Sequence, residues 1–223
     1  MEKKESYRNR LPHFQQPGQA YFVTWNLKNA IPPKALKRYT TKLSELKAQI
    51  EFQKAQKGDE KRIAALKTNY YSTQRKYIKA YDDLLNTVQT PTINLSESDH
   101  LKIVINALQY WDSEKLYNYA FCVMPNHIHW VFLLYEKDDK QEPVYLQDVL
   151  QSTKRYSATS INKLRNKKGN LWQKESFDTT IRDDKHLKRA IEYTLNNPVK
   201  AGFASGWVEW PGCWCAAEFQ NSF

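Results

Sequence analysis

The chain has 223 residues, enough to bury a substantial core as one large domain or as a compact domain carrying an insertion. Its 34 Lys+Arg against 24 Asp+Glu give a net charge of +10, the profile of a protein that meets a polyanion. No apolar run approaches ~18 residues, and the charged opening Met1-Glu2-Lys3-Lys4-Glu5 leads into no apolar segment, so a membrane span and a signal peptide are not expected. The expectation is a cytoplasmic protein whose leading polyanion is nucleic acid, and its 14 Tyr and 7 Trp suit unpaired bases better than smooth duplex.

Residues 1–19, with Arg8, Arg10, Pro12 and Pro17-Gly18, read as a basic irregular arm ending in a turn. Ala20 to Asn26 is a β-branched and aromatic run, the first strand, and Pro32-Pro33 closes that unit. From Lys34 to about Asn86 the composition shifts to Lys, Gln, Glu, Ala and Leu. Leu36, Leu43, Leu46 and Ile50 are spaced for one helix, and Ile63, Leu66, Tyr70, Tyr77, Tyr81 and Leu84 for another. Lys57-Gly58-Asp59 supplies the turn, so the spacing predicts a long helical hairpin over about 34–86.

Ser96-x-x-Asp99 has the form of a capping box ahead of a helix bearing Leu101, Val104, Ile105 and Leu108. Leu116 to Val123 reads as a strand with Tyr117, Tyr119, Phe121 and Val123 on one face. Pro125-Asn126 turns it into His127-Ile128-His129 and the apolar run Trp130 to Leu134, an antiparallel hairpin. A helix from Leu146 to Leu164 follows, then a basic loop Arg165 to Asn170, a short extended Leu171-Trp172-Gln173, and a strand from Ser176 to Arg182. Asp183-Asp184 open a last helix through Leu195, limited by Pro198. The tail with Trp207, Trp210 and Trp214 is expected to pack back on the domain. Cys122, Cys213 and Cys215 are an odd number and read as reduced thiols, with Cys213-x-Cys215 structural for want of further ligands.

The order of elements predicts an α+β fold: a ferredoxin-like, largely antiparallel sheet with helices on one face, plus the long inserted helical hairpin.

On a strand, His127 and His129 share one face with Cα atoms ~6–7 Å apart, a spacing from which two imidazoles can converge on one metal ion. Tyr193 and Asn197 stand at i and i+4 on the last helix and share its face. Histidine nitrogens and an amide oxygen can ligate a divalent cation, and a phenol beside it can be a nucleophile. Tyr77, Tyr81 and Tyr156 also lie on predicted helices, and spacing alone does not choose among the tyrosines.

Met124-Pro125-Asn126-His127-Ile128-His129 with its apolar run, Leu171-Trp172-Gln173, Phe177-Asp178, Ile181-Arg182-Asp183 and the stretch Glu192 to Gly202 together resemble the REP-associated tyrosine transposases, a branch of the single-tyrosine HUH transposases. Arg10-Leu11-Pro12-His13 and Tyr21-Phe22-Val23-Thr24 fit the same branch. The resemblance covers about residues 8–30 and 96–210 and implies a single HUH transposase domain over 1–223; the helical-hairpin insertion at about 34–86 is a departure, longer than the compact versions of the fold require. The resemblance also implies Tyr193 as nucleophile, His127, His129 and Asn197 as ligands, and Mg²⁺ or Mn²⁺ as cofactor. The implied activity is an endonuclease and strand transferase on single-stranded DNA with REP-like hairpins, working through a 5′-phosphotyrosine intermediate as a monomer or homodimer.

Lys154, Arg155, Arg165, Lys167, Lys168 and Arg182 are the candidate DNA contacts. The alternative reading is a domesticated hairpin-binding protein without cleavage activity, whose hallmark would be a missing histidine or tyrosine. A zinc hydrolase usually adds a third histidine or a carboxylate, near in sequence or on a facing element, and the segment Trp130-Val131-Phe132 after His129 offers no such group.

Overall fold

In the computed structural model, which describes residues 6–8, 12–14, 16–32, 34–87, 91–220 and 222, the chain divides into two units. One comprises Met1–Lys28 with Thr90–Phe223; the other is Asn29–Gln89. Arg10 and Leu11, which contribute to the resemblance, and Pro33 lie outside the described residues.

The smaller unit is the predicted helical hairpin. Helix α1 (Lys37–Ala55) packs against α2 (Glu60–Thr87). The turn between them passes through Lys57 at φ 49°, and the Gly58 N–H donates to the Gln53 carbonyl at 2.9 Å. An aromatic contact joins the pair, with Tyr39 of α1 and Tyr77 of α2 at ring centres 6.3 Å apart, and Tyr77 meets Tyr81 one turn along α2 at 6.0 Å.

The larger unit begins with a two-stranded ladder, β1 (Ser6–Arg8) against β2 (Pro12–Phe14), where the sequence suggested an irregular arm. Its body runs β3 (Ala20–Asn26), α3 (Ser98–Gln109), β4 (Leu116–Val123), β5 (His127–Leu134), α4 (Leu146–Leu164) and β6 (Phe177–Thr180). Then come α5 (Asp184–Leu195), the single turn α6 (Asn197–Lys200), β7 (Cys213–Cys215) and α7 (Ala217–Gln220). The sheet order is β6-β3-β5-β4-β7, antiparallel at every pairing. Without β7 this is the ferredoxin-like order that the sequence predicts. The tail does pack back: β7 adds a fifth strand, Trp214 stacks on Phe121 at 5.4 Å, and Trp210 Nε1 donates to the Val123 carbonyl.

The strand period distributes side chains to two buried faces. On one face Trp25 meets Trp130 and Trp172, and Trp172 Nε1 donates to Ser157 of α4. There Trp130 Nε1 also donates to Asn118, whose own amide donates to the Leu108 carbonyl of α3. The crossover helices α3 and α4 therefore cover this face, as expected. The opposite face is covered too, by α5, through Ile191 and Leu195 against Ala120, Val131 and Cys215.

Two local expectations give way. The register of β4 shifts between Asn118 and Ala120, a bulge at Tyr119. Phe121 thus joins the Trp130 face, while Tyr117 and Tyr119 lie together on the other, ring centres 5.4 Å apart. The capping box does not form, because Ser96 donates through both its N–H and its hydroxyl to Asn94 Oδ1 and α3 starts two residues later with no side-chain cap. Asp183 does cap α5, accepting from the His186 N–H at 2.7 Å.

Candidate active site

The two histidines sit at the start of β5, whose antiparallel partner β3 aligns Thr24 with His129 and Asn26 with His127. Both imidazoles are buried, and their Nε2 atoms stand 3.1 Å apart. Each Nδ1 has an oxygen partner: Asn126 Oδ1 lies 2.6 Å from His127 Nδ1, and Thr24 Oγ1 lies 2.8 Å from His129 Nδ1. An amide oxygen only accepts, so His127 carries its proton on Nδ1 and its lone pair on Nε2. The Thr24 hydroxyl can donate or accept, which leaves His129 two arrangements. Either His129 Nε2–H donates to His127, or the proton sits on Nδ1 and both Nε2 lone pairs face one point. The second arrangement is the form in which a histidine pair binds a cation, with its outer nitrogens fixed by neighbouring acceptors.

Electrostatics favour a neutral His127 ring. Burial holds the His127 pKa well below the usual histidine range, and the neighbouring His129 and the Lys200 charge push it the same way.

Tyr193 comes from α5. Its ring meets His129 edge to face, centres 5.4 Å apart, and meets Phe22 at 5.7 Å. Phe22 also stacks on His129 at 5.7 Å, so one phenyl ring supports both the imidazole and the phenol. The helix carries Tyr193 here because Ala190, Ile191, Thr194 and Leu195 bury the intervening positions of the same amphipathic face. Asn197 opens α6, where its amide nitrogen donates to the Tyr193 carbonyl at 3.0 Å. Its Oδ1 is buried with no hydrogen-bond partner among the described residues. A buried amide oxygen left unpaired costs about 1–3 kcal/mol, a cost that a cation would relieve. Two imidazole nitrogens and an amide oxygen are donors a divalent metal accepts, so these residues fit the expected ion.

The basic candidates separate into groups. Lys154 and Arg155 of α4 line a pocket of about 510 Å³ with Gln147, Gln151, Lys174 and Trp172. Burial lowers the Lys154 pKa to about 8, with Glu175 opposing the shift. Trp172 belongs to the α4-covered face, so this pocket and the histidines lie on opposite sides of the sheet. Arg165 caps the C-terminus of α4, and Lys167 and Lys168 follow in the exposed loop, in which the Lys167 N–H donates to the Asn162 carbonyl. Arg182 stands ahead of α5, where its charge and that of Arg189 depress the His186 pKa after burial has done so first.

Four residues at this site escaped sequence reasoning: Phe22, Thr24, Asn126 and Lys200. Phe22, Thr24 and Asn126 lie inside motifs that carry the resemblance, and Lys200 within the Glu192 to Gly202 stretch. The parity of β3 would have grouped Phe22 with Thr24, but only strand register brings them to His129.

The arrangement sets two facing imidazoles, donors of a kind a divalent cation accepts, beside a tyrosine ring carried on a helix. No protein-family model matches the chain. Two curated proteins do: a provisionally named REP-associated tyrosine transposase of Haemophilus influenzae, 33% identical over 96 residues, and a REP-associated tyrosine transposase of Escherichia coli K12, 28% identical over 92 residues. Each match takes in 41% of this chain and 54% and 50% of the respective relative, so the chain spans about half the length of the curated relatives it matches. A solved REP-associated tyrosine transposase bound to a REP hairpin aligns with 15% identity and a TM-score of 0.45, over 96% of this chain and 82% of that one. The chain resembles the REP-associated tyrosine transposases, in agreement with its motifs. No helix among the described residues is long and apolar enough to cross a membrane.

Proposed function

We propose that the chain is a DNA strand transferase of the REP-associated tyrosine transposase kind, acting on single-stranded DNA that folds into REP-like hairpins. Tyr193 is its nucleophile, and His127, His129 and Asn197 hold Mg²⁺ or Mn²⁺. The observation that carries this reading is the contact of the Tyr193 ring with His129, whose Nε2 faces that of His127 at 3.1 Å.

In this reading a bound divalent cation would polarise a non-bridging phosphate oxygen and fix the phosphate for in-line attack. Tyr193 Oη forms a bond to phosphorus as the bond to the 3′ oxygen breaks. The phenol gives up its proton and the departing 3′ oxygen gains one. The 5′-phosphotyrosine conserves the phosphodiester bond energy, so a 3′-hydroxyl can reverse the step and rejoin the strand. Lys200 Nζ lies over the Tyr193 ring, 5.8 Å from its centre, and in this reading its charge favours the ionised phenol. Thr24 and Asn126 keep the Nε2 lone pairs directed inward.

The binding-only alternative lacks its hallmark, since both histidines and Tyr193 are present. The test is incubation of purified protein and Mn²⁺ with single-stranded oligonucleotides that fold into REP-like hairpins. A covalent protein–DNA complex that survives denaturation is expected. Hairpin binding without such a complex would favour the alternative.

A further inference from the structure

The cysteines stand outside the proposed chemistry, yet two of them are set against each other. Cys122 of β4 and Cys213 of β7 are direct register partners. The hydrogen bonds flanking them, Val123 N–H to the Gly212 carbonyl at 2.9 Å and Ala216 N–H to the Tyr119 carbonyl at 2.9 Å, identify their pairing as the non-hydrogen-bonded type. At such pairs Cα atoms are ~4.5 Å apart and side chains are closest, within the range a disulfide spans. Gly212 permits the approach, because a side chain there would drive into the Val123 carbonyl.

We propose that Cys122 and Cys213 are a reversible redox pair, closing to a cross-strand disulfide beside the candidate active site when a peroxide or a low-molecular-weight disulfide reaches Cys213. The residues differ in access as such a pair requires: Cys122 is fully buried and Cys213 is partly exposed. With peroxide, Cys213 is oxidised to the sulfenic acid and the peroxide is reduced to water; the Cys122 thiol then displaces hydroxide from that sulfur, releasing a second water. With a disulfide oxidant, Cys213 forms the mixed disulfide, and Cys122 displaces the second thiol. Burial keeps Cys122 from meeting an oxidant directly, so Cys213 reacts first and Cys122, its register partner, resolves it. Cys215 is excluded as a partner: it lies two residues from Cys213 on the same strand and faces Ala120 across the ladder.

The pair touches both halves of the site. Cys122 is the register partner of His129 on its other side, and Cys213 Sγ donates to the carbonyl of Leu195, the last residue of α5, at 3.9 Å. Closing the disulfide removes that donor and loosens the hold of β7 on the helix that bears Tyr193. A loss of about 1 Å in positioning costs up to ~100-fold in rate, so the oxidised protein should cut at least about tenfold more slowly. This effect on rate rests on the strand-transfer reading; the disulfide itself does not.

The full chain is treated with glutathione disulfide or hydrogen peroxide, blocked with an alkylating agent under denaturing conditions, digested and analysed by mass spectrometry. A linked Cys122–Cys213 peptide that dithiothreitol abolishes is expected, with Cys215 alkylated throughout. Full alkylation of Cys122 after oxidation, or a Cys213–Cys215 link, would overturn the proposal. Cys213→Ser retains a donor for Leu195 at a partly buried position, so it should cut DNA at a rate insensitive to oxidant. Equal oxidant sensitivity in that variant would refute the coupling. If the reduced wild type forms no DNA adduct, strand transfer fails, and the linked peptide still decides the disulfide.

Discussion

His129 and Tyr193 meet edge to face with ring centres 5.4 Å apart, although 64 residues of chain, a helix and a strand separate them. The contact couples the proposed ligand to the proposed nucleophile and makes their roles separable by substitution. Tyr193→Phe keeps the ring that packs on His129 and Phe22, so its stability should change by no more than about 1 kcal/mol. Hairpin affinity should persist while covalent adduct disappears, as read by thermal melting, gel shift and denaturing electrophoresis on one preparation.

Thr24→Val removes the oxygen partner of His129 Nδ1 without changing side-chain volume greatly. Outer partners of ligating histidines are worth about 10–100-fold in metal affinity, and a Mn²⁺ titration followed by electron paramagnetic resonance should show a loss of that size. Asn197→Ala should weaken Mn²⁺ as well, by removing the buried Oδ1 that has no other partner among the described residues. Unchanged affinity in both variants would remove the metal from this site.

Acid should destabilise the fold through His127. Its folded pKa lies well below the ordinary value of 6.5, so below about pH 6.5 the unfolded chain binds a proton that the folded chain does not. Stability from this residue is therefore complete above that pH and falls progressively as pH drops toward the lowered folded value. Melting temperatures from pH 7.5 to 5 should decline without metal, and His127→Gln should flatten the slope.

Lys154 and Arg155 face the pocket on the other side of the sheet from the histidines. Gln substitutions there should weaken hairpin binding and lower the salt slope by about one for each phosphate that is no longer neutralised, leaving the cleavage rate of bound DNA unchanged. Loss of cleavage at saturating protein would place them at the chemistry instead.

What the sequence made legible follows the range of the interactions involved. The α1–α2 hairpin is written in local periodicity, and α5 in its Asp183 cap and amphipathic face, so both were readable. The β4–β5 hairpin was readable from Pro125-Asn126, but not its bulge at Tyr119, which depends on pairing. Ser96 misled because Asn94, two residues earlier, competes for its donors. His127 and His129 were visible as a motif, and Tyr193 only through resemblance. Phe22 and Thr24 became site residues through the register of β3 with β5, and three-residue β7 was too short to signal itself.

The most direct measurement is to locate the nucleotide on the protein. Wild-type chain is incubated with Mn²⁺ and a REP-like hairpin oligonucleotide that it binds, the DNA is digested to a nucleotide stub, and the modified peptide is sequenced by mass spectrometry. The expected result is a 5′-phosphodiester on Tyr193. A stub on Tyr77, Tyr81, Tyr156 or any other residue, or no stub with a hairpin that the protein binds, would contradict the mechanism proposed for this site.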